Sequence, residues 1–252
     1  PESFGYKSVA QKASWLQEMS QFDRGHRYAQ SMSFLRFTPE AKERLFTEGA
    51  KNGLEERDSV QKVLRFFDAD NAQDLVDRML YTDLMTRMAD HGLPIVDRMS
   101  MAHSLETRSP LVDPVVVDFA ASIPANMKLR GKSLKHMLRK VSSRYLPKEL
   151  VYREKQGFGF PLALWMRSEL STFLRNLFRQ SRFVEMGLFE PAYMDQILNE
   201  HLDGKIDHNF RLWILINLEI WYRLYFENET VDSMRAFTDS LMGPRARTGA
   251  GK

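Results

Sequence analysis

Apolar residues recur along this chain at intervals of three and four rather than two, and the pattern predicts helices nearly throughout. Residues 8–35 are polar and mixed, with Val9, Ala13, Leu16, Met19 and Phe22 near helical spacing. Thr38-Pro39 reads as an N-cap with proline at the first helical position, opening a short helix toward Phe46. Gly49 and Gly53 predict a loop. Helices follow over 60–67 and 71–88, the second carrying Leu75, Met79, Leu80, Leu84 and Met88 along one side. His91-Gly92-Leu93-Pro94 reads as a break, with a further helix over 94–104.

A loop through Ser109-Pro110 leads to Asp113-Pro114, again a cap and a first-turn proline, and Ile123-Pro124 ends that helix. Residues 133–145 predict an amphipathic helix with Leu134, Met137, Leu138 and Val141 inward and lysines and arginines outward. The stretch 146–161 is irregular, and helix resumes over 162–179. Glu190-Pro191 opens a helix that runs to about Leu202 and stops at Gly204. The last long helix, 207–226, places Phe210, Trp213, Ile214, Trp221 and Leu224 along one side. No strand alternation is evident, so the fold class is mainly α. The glycine-rich, basic tail over 242–252 has no hydrophobic pattern and is expected to be disordered, leaving 1–241 as the folded part.

Composition narrows the function. At 252 residues the chain can form one large domain or two small ones. No run of about 18 apolar residues exists to cross a membrane. Cysteine is absent, which removes disulfides, zinc-thiolate sites and thiol nucleophiles and fits a reducing compartment. The chain opens at Pro1 with no initiator Met and no signal-like segment, and reads as a piece of a longer protein. Net charge is only +3, but from Lys128 to Lys155 ten basic residues face two acidic ones, Glu149 and Glu154. Such a block either attracts a polyanion, such as ATP, pyrophosphate or nucleic acid, or forms a solvated helix face.

Two segments carry candidate chemistry. In the first, residues 93–113, Asp97 and Arg98 sit on a helix among small and apolar residues, and Glu106 and Arg108 stand where helix gives way to loop. Charges in such surroundings either pair among themselves, locking helix to loop, or meet a charged ligand. His103 is a lone helical histidine and points to neither. In the second, Lys155-Gln156-Gly157-Phe158-Gly159-Phe160-Pro161-Leu162, the glycines let backbone N–H groups come close to a ligand. Lys155 would supply a mobile point charge for a phosphate oxygen, and Pro161 begins a helix whose N-terminus favours an anion. The plainer reading is an irregular connection whose charges face water.

Together the segments resemble the asparagine synthetase family. Asp97 through Asp113 follow its D-R-x-S-M-A-x-S-L-E-x-R-x-P-x-x-D block, and Lys155 through Leu162 its K-x-G-F-G-x-P-L block. Met127-Lys128-Leu129-Arg130 and Arg144-Tyr145-Leu146-Pro147 also follow the family. Residues 91–96 and 207–213 are similar to the amidotransferases found with bacterial exopolysaccharide genes.

The resemblance implies a cytoplasmic, glutamine-hydrolysing ligase. Its glutaminase domain releases ammonia from glutamine, and its synthetase domain uses ATP and Mg²⁺ to activate aspartate as a β-aspartyl adenylate. It assigns Lys155 to the ATP phosphates. Asp97, Arg98, Glu106, Arg108, Gly157 and Gly159 go to the substrate and nucleotide site, and no residue of this chain goes to a metal. Neither the S-G-G-x-D-S loop nor the glutaminase cysteine occurs in these residues. The chain is therefore expected to be the helical C-terminal portion of the pyrophosphatase-type (PP-loop) synthetase domain. The parallel sheet and the upstream segments would lie elsewhere, and this portion would be inactive alone. Exposed apolar faces make a homodimer an expectation. Two alternatives stand beside this reading: an amidotransferase acting on another carboxylate such as a sugar acid, and a non-catalytic helical module that uses its basic block for nucleic acid.

Overall fold

The computed structural model describes residues 16–17, 19–32, 37–53, 59–72, 74–131, 133–154 and 160–243, and among them the backbone is helical, with two isolated bridges and no strand. In chain order the first helices are α1 (Arg24–Met32), α2 (Pro39–Leu45), α3 (Glu48–Lys51), α4 (Ser59–Phe67) and α5 (Leu75–Asp83). A π-helical stretch (Leu84–Gly92) joins α5 to α6 (Leu93–Met101), followed by α7 (Pro114–Ser122), α8 (Ala125–Lys128), α9 (His136–Ser142) and α10 (Lys148–Val151). The last are α11 (Leu162–Arg167), α12 (Ser171–Arg179), α13 (Arg182–Glu185), α14 (Pro191–Leu202), α15 (Asn209–Tyr225) and α16 (Val231–Leu241). These fall into two compact units: Pro1–Lys7, Phe34–Arg57 and Gly159–Lys252 form one, and Ser8–Ser33 with Asp58–Phe158 form the other.

The first unit closes around a single core. Leu162 and Met166 of α11, Leu174 and Leu177 of α12, Ile197 and Leu198 of α14, and Leu212 and Leu215 of α15 are all buried. The Thr38 hydroxyl accepts the Ala41 N–H at 3.3 Å, so α2 starts where the cap was read. Its end is tied to the α13–α14 connection: Thr47 N–H donates to Leu188 O and Glu190 N–H to Leu45 O, with the Phe46 ring 5.4 Å from Phe189. Gly204 ends α14 at a φ of +72°, which a side chain would resist.

Four details differ from the sequence pattern. Ser168 breaks the expected helix over 162–179 into α11 and α12. Gly49 lies inside the short α3 rather than in a loop, because the Thr47 hydroxyl caps Ala50 N–H. The buried side of α15 is Leu212, Leu215, Ile216, Glu219 and Arg223, whereas Phe210, Trp213, Ile214 and Trp221 are exposed. This helix is apolar on two sides, and periodicity selected the wrong one. Helix α16, capped by the Thr230 hydroxyl on Ser233 N–H, was not anticipated.

Two buried polar clusters stitch this unit. Glu219 accepts hydrogen bonds from the Ser181 hydroxyl and, at 3.1 Å, from Arg182 N–H at the start of α13. Burial pushes its carboxyl up, and the Ser181 bond offsets part of that. His208 sits between Glu200, 2.7 Å from Nε2, and Arg211, 3.0 Å from Nδ1. A guanidinium only donates, so Nδ1 is the acceptor and Nε2–H donates to the carboxylate. Burial and then the Arg211 charge hold the His208 pKa below its ordinary value, against the pull of Glu200.

The second unit packs α1 on α4 and α4 on α5 around Ala29, Val60 and Leu64. A Cβ on Gly25 would stand 3.0 Å from Leu64 Cδ2, so glycine lets α1 approach α4 closely without displacing that side chain. The Tyr28 ring lies tilted against Phe67 at 5.5 Å, and its hydroxyl donates to Met79 O at 2.9 Å. The expected break at 91–94 is absent, and the helix runs on to Met101. Pro94 offers no N–H, and its ring would collide with the carbonyl of residue 90 in a regular α-helix. The chain widens instead: Leu93 N–H bonds to Met88 O, five residues back. Thr82 and Thr86 satisfy their buried hydroxyls by donating to the carbonyls of Arg78 and Thr82.

From α6 to α10 no helix buries a residue. Helix α7 is the extreme case: it is apolar nearly all round, yet Val115 is 77% and Phe119 68% exposed. The expected inward face of α9 is not covered either, since Leu134, Leu138 and Val141 are all exposed.

Two outcomes follow from this contrast. In urea unfolding of the chain, Leu177→Ala should cost about 2–5 kcal/mol, whereas Val115→Ala should stay within about 0.5 kcal/mol. Equal losses would show that α7 is packed after all. For His208 the depressed pKa means that the unfolded chain takes up the proton first. Its contribution to stability is therefore present above pH 6.5 and lost as pH falls below it. Comparing the pH dependence of the unfolding midpoint in wild type and His208→Gln should show a shallower acid slope in the variant, and an unchanged slope would contradict the assignment.

Candidate functional site

The candidate charges lie at the C-terminal end of the long helical run of the second unit. Asp97 and Arg98 belong to the last turns of α6, which closes with Ala102 N–H on Arg98 O at 3.0 Å. The chain then reverses tightly. His103 N–H and Leu105 N–H both donate to Ser100 O, and Ser104 takes a left-handed conformation at a φ of 57°. A left-handed residue without glycine costs roughly 1 kcal/mol, and here the shared Ser100 carbonyl holds it in place. The Ser100 hydroxyl lies 3.4 Å from the Thr107 hydroxyl, so helix end and loop are joined by neutral groups.

All four charged candidates are exposed. Arg108 pairs with Glu106, and among the described residues neither Asp97 nor Arg98 has an ion-pair partner. Half of the structural alternative read from the sequence is thus realised: Glu106 and Arg108 pair, but within the loop, and helix and loop are not locked by charge. The expectation of charges held in apolar surroundings is corrected. The neighbouring apolar residues Val96, Met99, Met101 and Leu105 are themselves exposed, so water reaches the whole segment.

Lys155, Gly157 and Gly159 lie outside the described residues. Phe160, which follows them, stacks on Trp165 at 5.8 Å, so in the described part this aromatic anchors the start of α11. Pro161 stands at the N-cap of α11 as expected. Lysine and arginine side chains of the basic block are only partly neutralised: Lys128 bonds to Asp77 and to Ala121 O, and Arg139 lies over the Tyr152 ring. Among the described residues no three His, Asp or Glu side chains converge as a metal site. No helix among them is long and apolar enough to cross a membrane.

Comparison with known proteins decides the family. The asparagine synthase family model matches residues 3–223. The chain belongs to the asparagine synthase family. It is 30% identical over 162 residues to asparagine synthetase [glutamine-hydrolyzing] 1 of Bacillus subtilis, covering 64% of this chain and 25% of that protein. It is 32% identical over 159 residues to a putative asparagine synthetase [glutamine-hydrolyzing] of Mycobacterium bovis, covering 63% of this chain and 24% of that protein. The human asparagine synthetase [glutamine-hydrolyzing] is 25% identical over 133 residues. The matched stretch thus spans about a quarter of the length of these relatives. No solved structure matches the chain.

Because the Glu106–Arg108 pair is solvated, its loss should be nearly silent in the fold. Arg108→Ala is expected to shift unfolding free energy by less than about 0.5 kcal/mol. A drop of several kcal/mol in chemical denaturation would mean that the pair is structural.

Proposed function

We propose that this chain contributes the helical part of the synthetase domain of a glutamine-dependent, cytoplasmic asparagine synthetase. In that reading the parent protein forms the side-chain amide of aspartate from ammonia released by glutamine, through a β-aspartyl adenylate made from ATP with Mg²⁺. The single observation that carries it is the family match running through both motif blocks. The exposed faces of α6 to α10 support it as well. Apolar helices that bury nothing among the described residues need a further layer, and the parallel sheet of a PP-loop nucleotide domain would supply one.

Each residue has a definite task in this reading. Lys155 places an ammonium beside the triphosphate, where adenylation develops negative charge, and Gly157 and Gly159 turn backbone N–H groups toward the same oxygens. Arg98 and Arg108 offer fork-shaped donors to carboxylate or phosphate, Glu106 orients the Arg108 fork, and Asp97 is available to accept from the substrate amine. All four are exposed and open to a ligand, Glu106 and Arg108 as a pair. Aspartate is the substrate favoured here. A sugar acid remains the competing acceptor, because residues 91–96 and 207–213 resemble polysaccharide-associated amidotransferases.

The decisive experiment uses the intact parent protein. Lys155→Ala should lower ATP-dependent pyrophosphate release with aspartate and glutamine by about 100-fold or more, with little change in the thermal transition. Undiminished release would refute the role of Lys155. Release driven by uronic acids but not by aspartate would replace the substrate.

A further inference from the structure

We propose that the groove between α8 and α9 is a binding site for a small phosphate-bearing anion, held by Arg130, His136 and Lys140. The groove measures about 310 Å³ and is lined by Asn126, Met127, Arg130, His136, Met137 and Lys140. That is the lower end of the range for small-ligand sites. His136 and Lys140 are four residues apart on α9 and project to one side of it, while Asn126 lies on α8 and Arg130 stands just past its extended C-cap Leu129. Met127 and Met137 add an apolar wall.

The backbone fixes this arrangement. Gly131 at a φ of 58° and Lys135 at 56° are both left-handed, and between them Arg130 and Ser133 exchange two backbone hydrogen bonds. Lysine has no local reason to adopt that conformation, and the outlier sits at the entry to α9. The tight turn brings Arg130 back against the helix that carries His136 and Lys140.

Charge supplies the reason for an anion. The ion pairs of this unit join His26 to Asp23, Lys62 to Asp90, Arg108 to Glu106 and Lys128 to Asp77. Among the described residues none includes Arg130, His136 or Lys140, and no carboxylate lines the groove. Neighbouring cations are occupied, Lys128 by Asp77 and Arg139 by the Tyr152 ring. Arg130 and Lys140 are exposed and their mutual repulsion is screened by water, and an anion entering the concavity would meet both charges at once. The chemistry on offer is a guanidinium fork, an ammonium, an imidazole and a carboxamide, which suits a tetrahedral, multiply charged oxyanion. The groove is far too small for an extended nucleic-acid backbone. The site is independent of Lys155, so its failure would leave the ligase reading standing.

The test is calorimetric titration of the full chain with inorganic pyrophosphate at fixed ionic strength. Wild type should bind at a single site, and Arg130→Ala with Lys140→Ala should weaken binding by roughly tenfold or more. Arg130→Lys should retain part of it, which separates lost charge from lost folding. Lys205→Ala, an exposed lysine of the other unit, should change nothing. Wild-type affinity in the double variant would overturn the proposal. So would displacement of pyrophosphate by a DNA duplex that binds more tightly and with a steep salt dependence, since the face would then be a polynucleotide surface.

Discussion

Covering apolar surface is the constraint on which everything else in this protein turns. Fully burying a side chain such as Val or Phe is worth about 1.5–3 kcal/mol, and the unit built from α2, α3 and α11 to α16 collects that stabilisation residue by residue. Leu174, Leu177 and Leu212 are withdrawn from solvent altogether. In the other unit α1 and α4 do so, with Ala29, Val60, Leu64 and Phe67 buried. Beyond them, α6 to α10 carry residues of the same type and bury none of them. A helix such as α7, apolar nearly all round, reads as one destined for an interior.

The polar groups obey the same constraint from the opposite side. Where the core is closed, Glu219 is engaged by Ser181 and the α13 backbone and His208 by Glu200 and Arg211, while buried His201 accepts from His208 N–H through Nδ1. Where the core is open, charges remain hydrated, as Asp97, Arg98, Glu106 and Arg108 do. The candidate site thus belongs to the part of the fold with the least internal support. That is where an incoming ligand or protein layer meets the least resistance.

Local chemistry was legible in the sequence wherever a single side chain decides it. Thr38-Pro39, Asp113-Pro114 and Gly204 each fix a helix end through one hydrogen bond, one locked torsion or one positive φ. Facing was not legible. Helix α15 has apolar residues on both sides, and only tertiary packing selects Leu212 and Leu215 over Trp213 and Ile214. Nor was α16, whose polar sequence hides Met234 and Leu241 as its two buried contacts. The motif blocks named the family correctly, yet the solvated state of Asp97 and Arg98 depends on what covers α6, which no local pattern encodes.

The widened stretch ahead of Pro94 has a geometric consequence. With hydrogen bonds reaching back five residues, each residue advances through a smaller angle about the axis than in an α-helix. Everything beyond Leu93 therefore emerges on a different bearing from the one a continuous helical wheel drawn from Leu75 would assign. The stretch sets the bearing of α6 as well as carrying the helix past proline. Adding or removing one residue within it would re-aim Asp97 and Arg98 while leaving the helix unbroken.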